Sequence, residues 1–359
     1  MKKLFILLLC IGAVVPVTAQ SEEDNKAQQL AEATDFSVPS SPAFVLLDAT
    51  TAKVNKPAFT KDFKFDWVFK DNRLAPNIAL EVQPIWMLFY KNINLVQYQK
   101  QEWFSRQLST LSFSLGTVKK DTIQSLAWAI KLNLFREKKA DPMMNENYIG
   151  ELKKIIAFSP DEKRIALQLE GLKDAFEEET DAAKKTELLK KMEDLKVLLE
   201  KEDERKKKDY ARIKKEFMEK TWNANMVDIG FGKAYNYFGE ELEDLKFQSR
   251  GSGIWVNGSY NFNTSNFVVS ALYKYLSGDS STHFIGGNLR YGGSKINFFA
   301  EYIFEKAGSG KANTIAYGGD FRLNDILMIQ FGLRTEYNKS FTLKSLKPLV
   351  NFNWLLKKN

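Results

Sequence analysis

The chain is 359 residues long, 44% hydrophobic and 13% aromatic, and its 52 basic residues face 45 acidic ones for a formal net charge of +7. A surface of such mixed charge implies no nucleic-acid partner. The single cysteine, Cys10, lies in an apolar N-terminal run, so the chain without that run has no disulfide and no Cys-ligated metal. Past that run no uncharged apolar stretch reaches the ~20 residues of a spanning helix, which excludes a helical membrane protein.

Lys2 and Lys3, the apolar run Leu4 to Val17 and the small-residue end Thr18-Ala19-Gln20 have the form of a signal peptide, read here as residues 1–19. Residues 20–58 read as an N-terminal arm. Its first part, Ser21 to Ser41, is polar and is expected to be a flexible leader. Pro42 to Leu47 and Lys56 to Phe59 read as ordered but irregular. Such an arm either tucks into a barrel lumen as a plug or remains a periplasmic tail.

Residues 59–138 carry the first strands. Phe63, Phe65, Trp67 and Phe69 alternate with Lys64, Asp66 and Lys70. Ile78, Leu80 and Val82 alternate with Glu81 and Gln83, and Leu126, Trp128, Ile130 and Leu132 with Ala127, Ala129 and Lys131. A period of two is the mark of strands with two different faces.

The period changes over residues 139–222. Tyr148, Leu152, Ile155 and Ile156 suit a short amphipathic helix. Ser159-Pro160-Asp161-Glu162 starts another, with Ser159 as N-cap and Pro160 in the first turn. Thr180-Asp181 begins a long charged helix of about 60 Å at 1.5 Å per residue. Its apolar residues Leu188, Met192, Leu195, Leu199, Tyr210, Ile213 and Phe217 are the candidate partner-binding stripe of a helical hairpin or coiled coil. The alternative is a solvated helix steadied by ion pairs between successive turns.

Alternation resumes over residues 223–359, giving about twelve strands in all, each near the 9 to 12 residues of a tilted membrane strand. One face is apolar and aromatic, with Tyr260, Phe262, Tyr273, Tyr275, Tyr291, Tyr302, Phe304 and Tyr337 near strand ends, as in interfacial girdles. The other carries polar residues and glycines. The fold expected is mainly β: a single-chain transmembrane antiparallel β-barrel of about twelve strands with one long helical hairpin insertion, exported to the outer membrane of a Gram-negative cell. Gly239 to Arg250, Leu276 to His283, Glu305 to Asn313 and Asn338 to Lys347 read as long loops. The short turns between them place the insertion on the short-turn, periplasmic side. The connection Lys91 to Gln101 lies on that side and is too long for it.

Chemistry of the catalytic kind is sparse. His283 is the one histidine, close to Asp279, Ser280 and Ser281; a nucleophile–base pair for an outer-membrane lipid enzyme is the weakest of three readings. No cofactor, catalytic residue or metal site is expected. The inward charges Arg290, Glu301, Asp320, Arg322, Arg334 and Glu336 read as lumen-facing, either interior ion pairs or a constriction that selects solutes. The leading reading is a structural adaptor that contacts outer-membrane lipid and docks a periplasmic envelope protein through the hairpin. The alternative is a narrow, porin-like solute channel.

Thr18-Ala19-Gln20 and the stretches Ser41-Pro42-Ala43-Phe44 and Lys53-Val54-Asn55-Lys56-Pro57 resemble uncharacterised outer-membrane β-barrel proteins of Bacteroidota. The resemblance covers about the first sixty residues and implies a location rather than an activity. Export channels of the TolC type also insert helices between strands, but with longer, repeated helix pairs.

Overall fold

A computed structural model of the chain describes residues 22–32, 34, 41–54, 63–70, 73–90, 93–120, 123–238, 246–262, 266–278, 281–324, 327–337 and 342–356, the side chains of 63–77, 120, 344 and 355–356 excepted. The expected signal peptide lies outside these residues. In chain order come α1 (Glu22–Glu32), α2 (Pro42–Leu47), β1 (Phe63–Lys70), β2 (Arg73–Val82), a π-helical turn (Trp86–Tyr90), α3 (Leu95–Lys100), α4 (Trp103–Leu108), β3 (Ser112–Lys120) and β4 (Ile123–Arg136). The helices α5 (Glu146–Ile156), α6 (Pro160–Glu178) and α7 (Ala182–Thr221) follow. Then come β5 (Met226–Phe238), β6 (Lys246–Asn261), β7 (Phe267–Leu276), β8 (Thr282–Gly292), β9 (Ile296–Ala307), β10 (Gly310–Arg322), β11 (Leu327–Tyr337) and β12 (Leu343–Leu356).

Strands β2 to β12 make one antiparallel sheet in chain order. The backbone of β1 joins its two edges, with Lys64 opposite both Glu81 and Leu355, so the strand order runs round a barrel. Side-chain alternation sorts the two faces. In β7, Val268, Ser270, Leu272 and Lys274 are buried while Phe267, Val269 and Tyr273 are exposed. In β9, Asn297, Phe299, Glu301 and Ile303 point inward and Ile296, Phe298 and Tyr302 outward. The outward face is mostly apolar, and aromatic pairs brace it at both ends: Phe267 with Tyr291 (centroids 4.7 Å apart) and Tyr260 with Phe262 (5.3 Å) at one, Tyr235 with Phe247 (6.4 Å) and Tyr275 with His283 (5.0 Å) at the other.

The two ends differ. Connections 83–111 and 137–225 share one end with 262–266, 293–295, 323–326, the start of β1 and the end of β12. The insertion thus sits at the same end as those short turns. At the opposite end the stretch Glu305 to Asn313 is not a long loop. Strands β9 and β10 continue to Ala307 and Gly310, with Lys306 opposite Lys311, and turn through Gly308 at φ 54°. Charged side chains hid this extension, because a ladder of backbone bonds does not depend on side-chain polarity at an exposed strand end. The awkward length of Lys91 to Gln101 also has a cause: it belongs to a helical layer.

That layer packs the π-helical turn, α3 and α5 with the base of α7, stacking Tyr148 on Phe217 (4.3 Å) and setting Trp86 edge-on to Tyr98 (6.0 Å). The polar leader is part of it. Instead of a flexible segment, residues 22–32 form α1, whose Ala27 and Ala31 are buried in the same core. Gln28 donates to the Ile93 carbonyl at 2.7 Å, and Asp24 pairs with Lys153. Small residues one turn apart let α1 lie close to α5, so little apolar area suffices and mean composition conceals the helix.

Above the layer, α6 and α7 form the expected hairpin. Ser159 and Glu162 make a capping box, and Asp181 caps α7 through the amides of Ala183 and Lys184. The apolar stripe expected to bind a partner is used inside the chain. Met192, Leu195 and Leu199 pack on Ile165, Leu169, Leu172 and Phe176 of α6, and Tyr210, Ile213 and Phe217 pack in the helical layer. Leu188 is half-buried. The reason is the fold-back of α6, which covers the seam a partner helix would need. Glu162, buried at the foot of α6, pairs with Lys206 of α7 at 2.7 Å.

Burial raises the pKa of the Glu162 carboxyl, but its bonds to Lys206 and to Ser159 outweigh this and hold it below the usual carboxylate range. The stabilisation is therefore complete above the unfolded-state pKa of about 4.3 and is lost as pH falls through the lower folded value. Glu162→Gln should destabilise the hairpin by about 1–2 kcal/mol at pH 7 and flatten its response to acid. Helical circular dichroism during thermal melts at pH 7 and pH 3 measures both, and an unchanged acid response in the variant would refute the clamp.

Candidate functional site

The interior of the strand ring is the site, and the chain's own arm fills it. After Ser41 the segment enters as α2, with Pro42 at the first turn, where its missing N–H costs nothing. This replaces the irregular structure expected for Pro42 to Leu47. At Asp48 the backbone takes the left-handed conformation, φ 58°, and the chain reverses. Residues 49–54 run back along the inner wall. Residues 41–54 pack on the inner wall of the strand ring.

Small residues make the room. Where the arm passes, the wall presents Ala79, Ala127, Ala129 and Ala234, all buried against Ala43, Phe44, Leu46 and Leu47. Glycines serve the same end at two close approaches. A Cβ on Gly116 would lie 2.9 Å from the Ala43 Cβ, and one on Gly253 would lie 2.5 Å from the Leu46 Cδ1. The sequence put glycines on the polar face of the strands without disclosing an occupant.

Polar groups then fix the arm. The hydroxyls of Ser41 and Ser114 lie 2.6 Å apart, and the Ala43 amide donates to Ser114 at 2.8 Å. The Glu301 carboxylate, 3% exposed, accepts the amides of Lys53 (3.0 Å) and Val54 (2.7 Å). Arg334, 4% exposed, donates to the Thr50 carbonyl at 2.6 Å and pairs with Asp48 at 3.5 Å. Lys274, 1% exposed, donates to the Val45 carbonyl at 3.1 Å and lies over the Phe284 ring at 4.3 Å. Lys53 reaches Asp48 (3.4 Å) and Glu305 (3.6 Å) and lies over the same Phe284 ring at 5.1 Å. Buried charges are tolerated when paired and hydrogen-bonded, and here the arm supplies much of that pairing.

The six charges expected in the lumen do not form one cluster. Glu301 and Arg334 hold the arm. Arg290 and Asp320 form a buried pair nearer the helical end, extended by Asn297 (3.1 Å) and Gln330 (3.0 Å), with Arg290 over the Phe299 ring. Arg322 lies at the rim, within 3.6 Å of the Met218 sulfur on α7. Glu336 is half-buried toward the opposite end, paired with Lys347 at 3.3 Å. Strand parity indicates which face a residue takes but not its depth along the barrel. Two further interior pairs were missed: Lys131 with Glu81 (3.4 Å), and Asn133 with Asp228 (2.6 Å). Both were legible, since each residue lies opposite its strand's apolar face. Lys53 and Asp48 had no such signal, because the arm has no period.

His283 stands among outward aromatics, its Nδ1 3.1 Å from the Tyr273 hydroxyl. Asp279 and Ser280 lie outside the described residues. Among the described residues no group of acidic, histidine or cysteine side chains could hold a metal ion.

No protein-family model matches the chain, and no curated protein sequence matches it. Among solved structures it is similar to the KdgM porin, at 7% identity and a TM-score of 0.36 over 82% of this chain and 99% of that one. It is similar to the NanC porin at 8% identity and 0.35 over 82% and 100%, and to the CymD monoaromatic hydrocarbon channel at 9% identity and 0.33 over 82% and 87%.

The seating of the arm has a direct test. With Cys10 removed, Ser41→Cys combined with Ser114→Cys leaves these two as the only thiols, at positions whose hydroxyls already lie 2.6 Å apart. The pair should oxidise to a disulfide in the folded protein, seen as a mobility shift on non-reducing gels and lost with reductant. Thiols that stay free in folded protein would place the arm elsewhere.

Proposed function

We propose that the chain is an outer-membrane β-barrel of a Gram-negative cell, acting as a narrow channel for small solutes that its own N-terminal arm closes. The observation that carries this reading is the arm inside a polar lumen, held by hydrogen bonds and ion pairs that water can replace. The outward face supports the location. Exposed Ile285, Leu289, Phe298, Tyr302 and Tyr317 belong to an apolar surface far larger than a soluble protein presents to water, and aromatic pairs mark both of its borders. A barrel of about twelve strands is narrower than the 16 to 18 strands of wide aqueous pores, which limits passage to small solutes. The helical layer and hairpin then lie in the periplasm, at the end where β1 begins and β12 ends.

A second reading, the adaptor, has one observation in its favour. Leu167, Leu189, Val197 and Leu198 are exposed on faces of the hairpin that its seam does not use. They replace the seam residues as the candidate partner surface.

In planar bilayers the intact protein should be nearly silent. Deleting residues 41–54, or combining Glu301→Gln with Arg334→Gln, should open discrete conductance steps in protein that keeps the heat-modifiable gel mobility of a folded barrel. Silence of folded, arm-less protein would dismiss the channel and leave the adaptor. Topology is read with an epitope tag near Glu202. Protease should remove it only after the outer membrane is breached; cleavage on intact cells would put the hairpin outside and reverse the proposed orientation.

A further inference from the structure

We infer that the rim between the strand ring and the helical layer holds a binding site for the headgroup of an anionic phospholipid, which docks the 83–111 connection into the adjoining leaflet. The inference rests on the membrane reading above and adds a ligand to it.

The first observation is a continuous exposed apolar face. Met87, Leu88 and Phe89 of the π-helical turn are exposed, Leu88 by 75%, as are Trp103 and Phe104 at the start of α4. The Tyr90 hydroxyl donates to the Ser105 carbonyl at 2.7 Å, tying the turn to α4 so that the two face outward together. They follow the outward residues Leu80 of β2 and precede Phe113 and Leu115 of β3, which are also exposed. The face therefore extends the apolar band of the strands past their ends, at the depth where lipid headgroups begin.

The second observation is a cavity of about 260 Å³ at that border, lined by Trp103, Arg106, Phe135, Arg136 and Lys138 among others. Phe135 also belongs to the exposed outward face of β4, so the cavity opens beside the apolar band. Arg106 donates to the Gln101 carbonyl at 3.2 Å and approaches the Met144 sulfur at 3.9 Å; no carboxylate pairs with it among the described residues. The carboxylates that share the lining serve other groups. Asp141 accepts the Tyr98 hydroxyl (2.8 Å) and the Met143 amide (3.0 Å), while Glu137 accepts the Asn225 amide (3.1 Å) and pairs with Lys139 (3.3 Å). Arg136 donates to the Ala140 carbonyl, which fixes its guanidinium in the wall.

The result is a recess whose lining carries three basic side chains against two carboxylates, with an aromatic lip, opening beside the apolar band. A free anion would make no use of the apolar lip, and an acyl chain alone would make no use of Arg106. A phospholipid fits both parts: its phosphate reaches Arg106 and Lys138, and its acyl chains run past Phe135 and Trp103. Net negative charge strengthens the attraction of such basic sites for the headgroup.

Native mass spectrometry of the detergent-solubilised full chain, with phosphatidylglycerol or phosphatidylcholine added, tests this. Wild type should retain one phosphatidylglycerol far more often than one phosphatidylcholine. Arg106→Gln should lower the phosphatidylglycerol adduct about tenfold, as loss of a charge-assisted bond predicts, and Trp103→Ala should lower it too. Heat-modifiable mobility and flotation with vesicles confirm separately that each variant is folded and membrane-bound. Equal adducts of both lipids, an Arg106→Gln variant that binds as wild type does, or displacement by excess inorganic phosphate would each overturn the site while leaving the barrel in the membrane. Failure of wild type itself to float would instead bring down the membrane reading and the site with it.

Discussion

A carboxylate shut inside a ring of strands must find hydrogen-bond donors within reach, and Glu301 finds them in two consecutive amides of the arm, Lys53 and Val54. Much else in the interior follows from that bond. The amides come within reach only because the chain reverses at Asp48, and the reversal delivers the Asp48 carboxylate to Arg334 and to Lys53. Lys274 then finds the carbonyl of Val45 and the face of Phe284. The arm and the wall each carry charges that only the other completes. Removing one partner leaves a buried charge alone, which is costlier than never having built the pair.

Steric fit and charge divide the work. The wall is lined with alanine and glycine on the strands that face α2, so the helix lies almost against backbone, with Ala43 over Gly116 and Leu46 over Gly253. Larger residues at those places would fill the lumen themselves, as they do in small barrels that need no plug. Beyond α2 the wall changes character, and Glu301 and Arg334 take over from the small residues. Shape and the Lys274 bond to the Val45 carbonyl hold the helical half of the arm, and charge holds the returning half. The charged half is the one that ionic strength weakens first.

The strands were legible because alternation is local. Phe267 to Leu276 shows its inward and outward residues within ten positions, and the turn at Ser159-Pro160-Asp161-Glu162 carries its own capping chemistry. What escaped depends on residues far apart. Nothing near Lys53 announces Glu301, 248 positions away. Ala27 and Ala31 disclose a helix only when α5 is there to receive them. The stripe from Met192 to Leu199 was recognised as a seam, but a stripe does not say whether its partner lies in the same chain. Arg322 and Glu336 took the expected face at unexpected depths, since a period of two fixes direction and leaves height to the register of the whole sheet.

The helical layer makes sense of why the plug belongs to this end of the barrel. Helix α1 precedes the arm and is held in the layer by Ala27, Ala31 and the Gln28 bond to Ile93, while β1 follows the arm and is held in the sheet. The arm is thus a loop anchored on both sides. An arm held at both ends loses less freedom on being seated than a free segment would, so its contacts with Glu301 and Arg334 form at a reduced entropic cost.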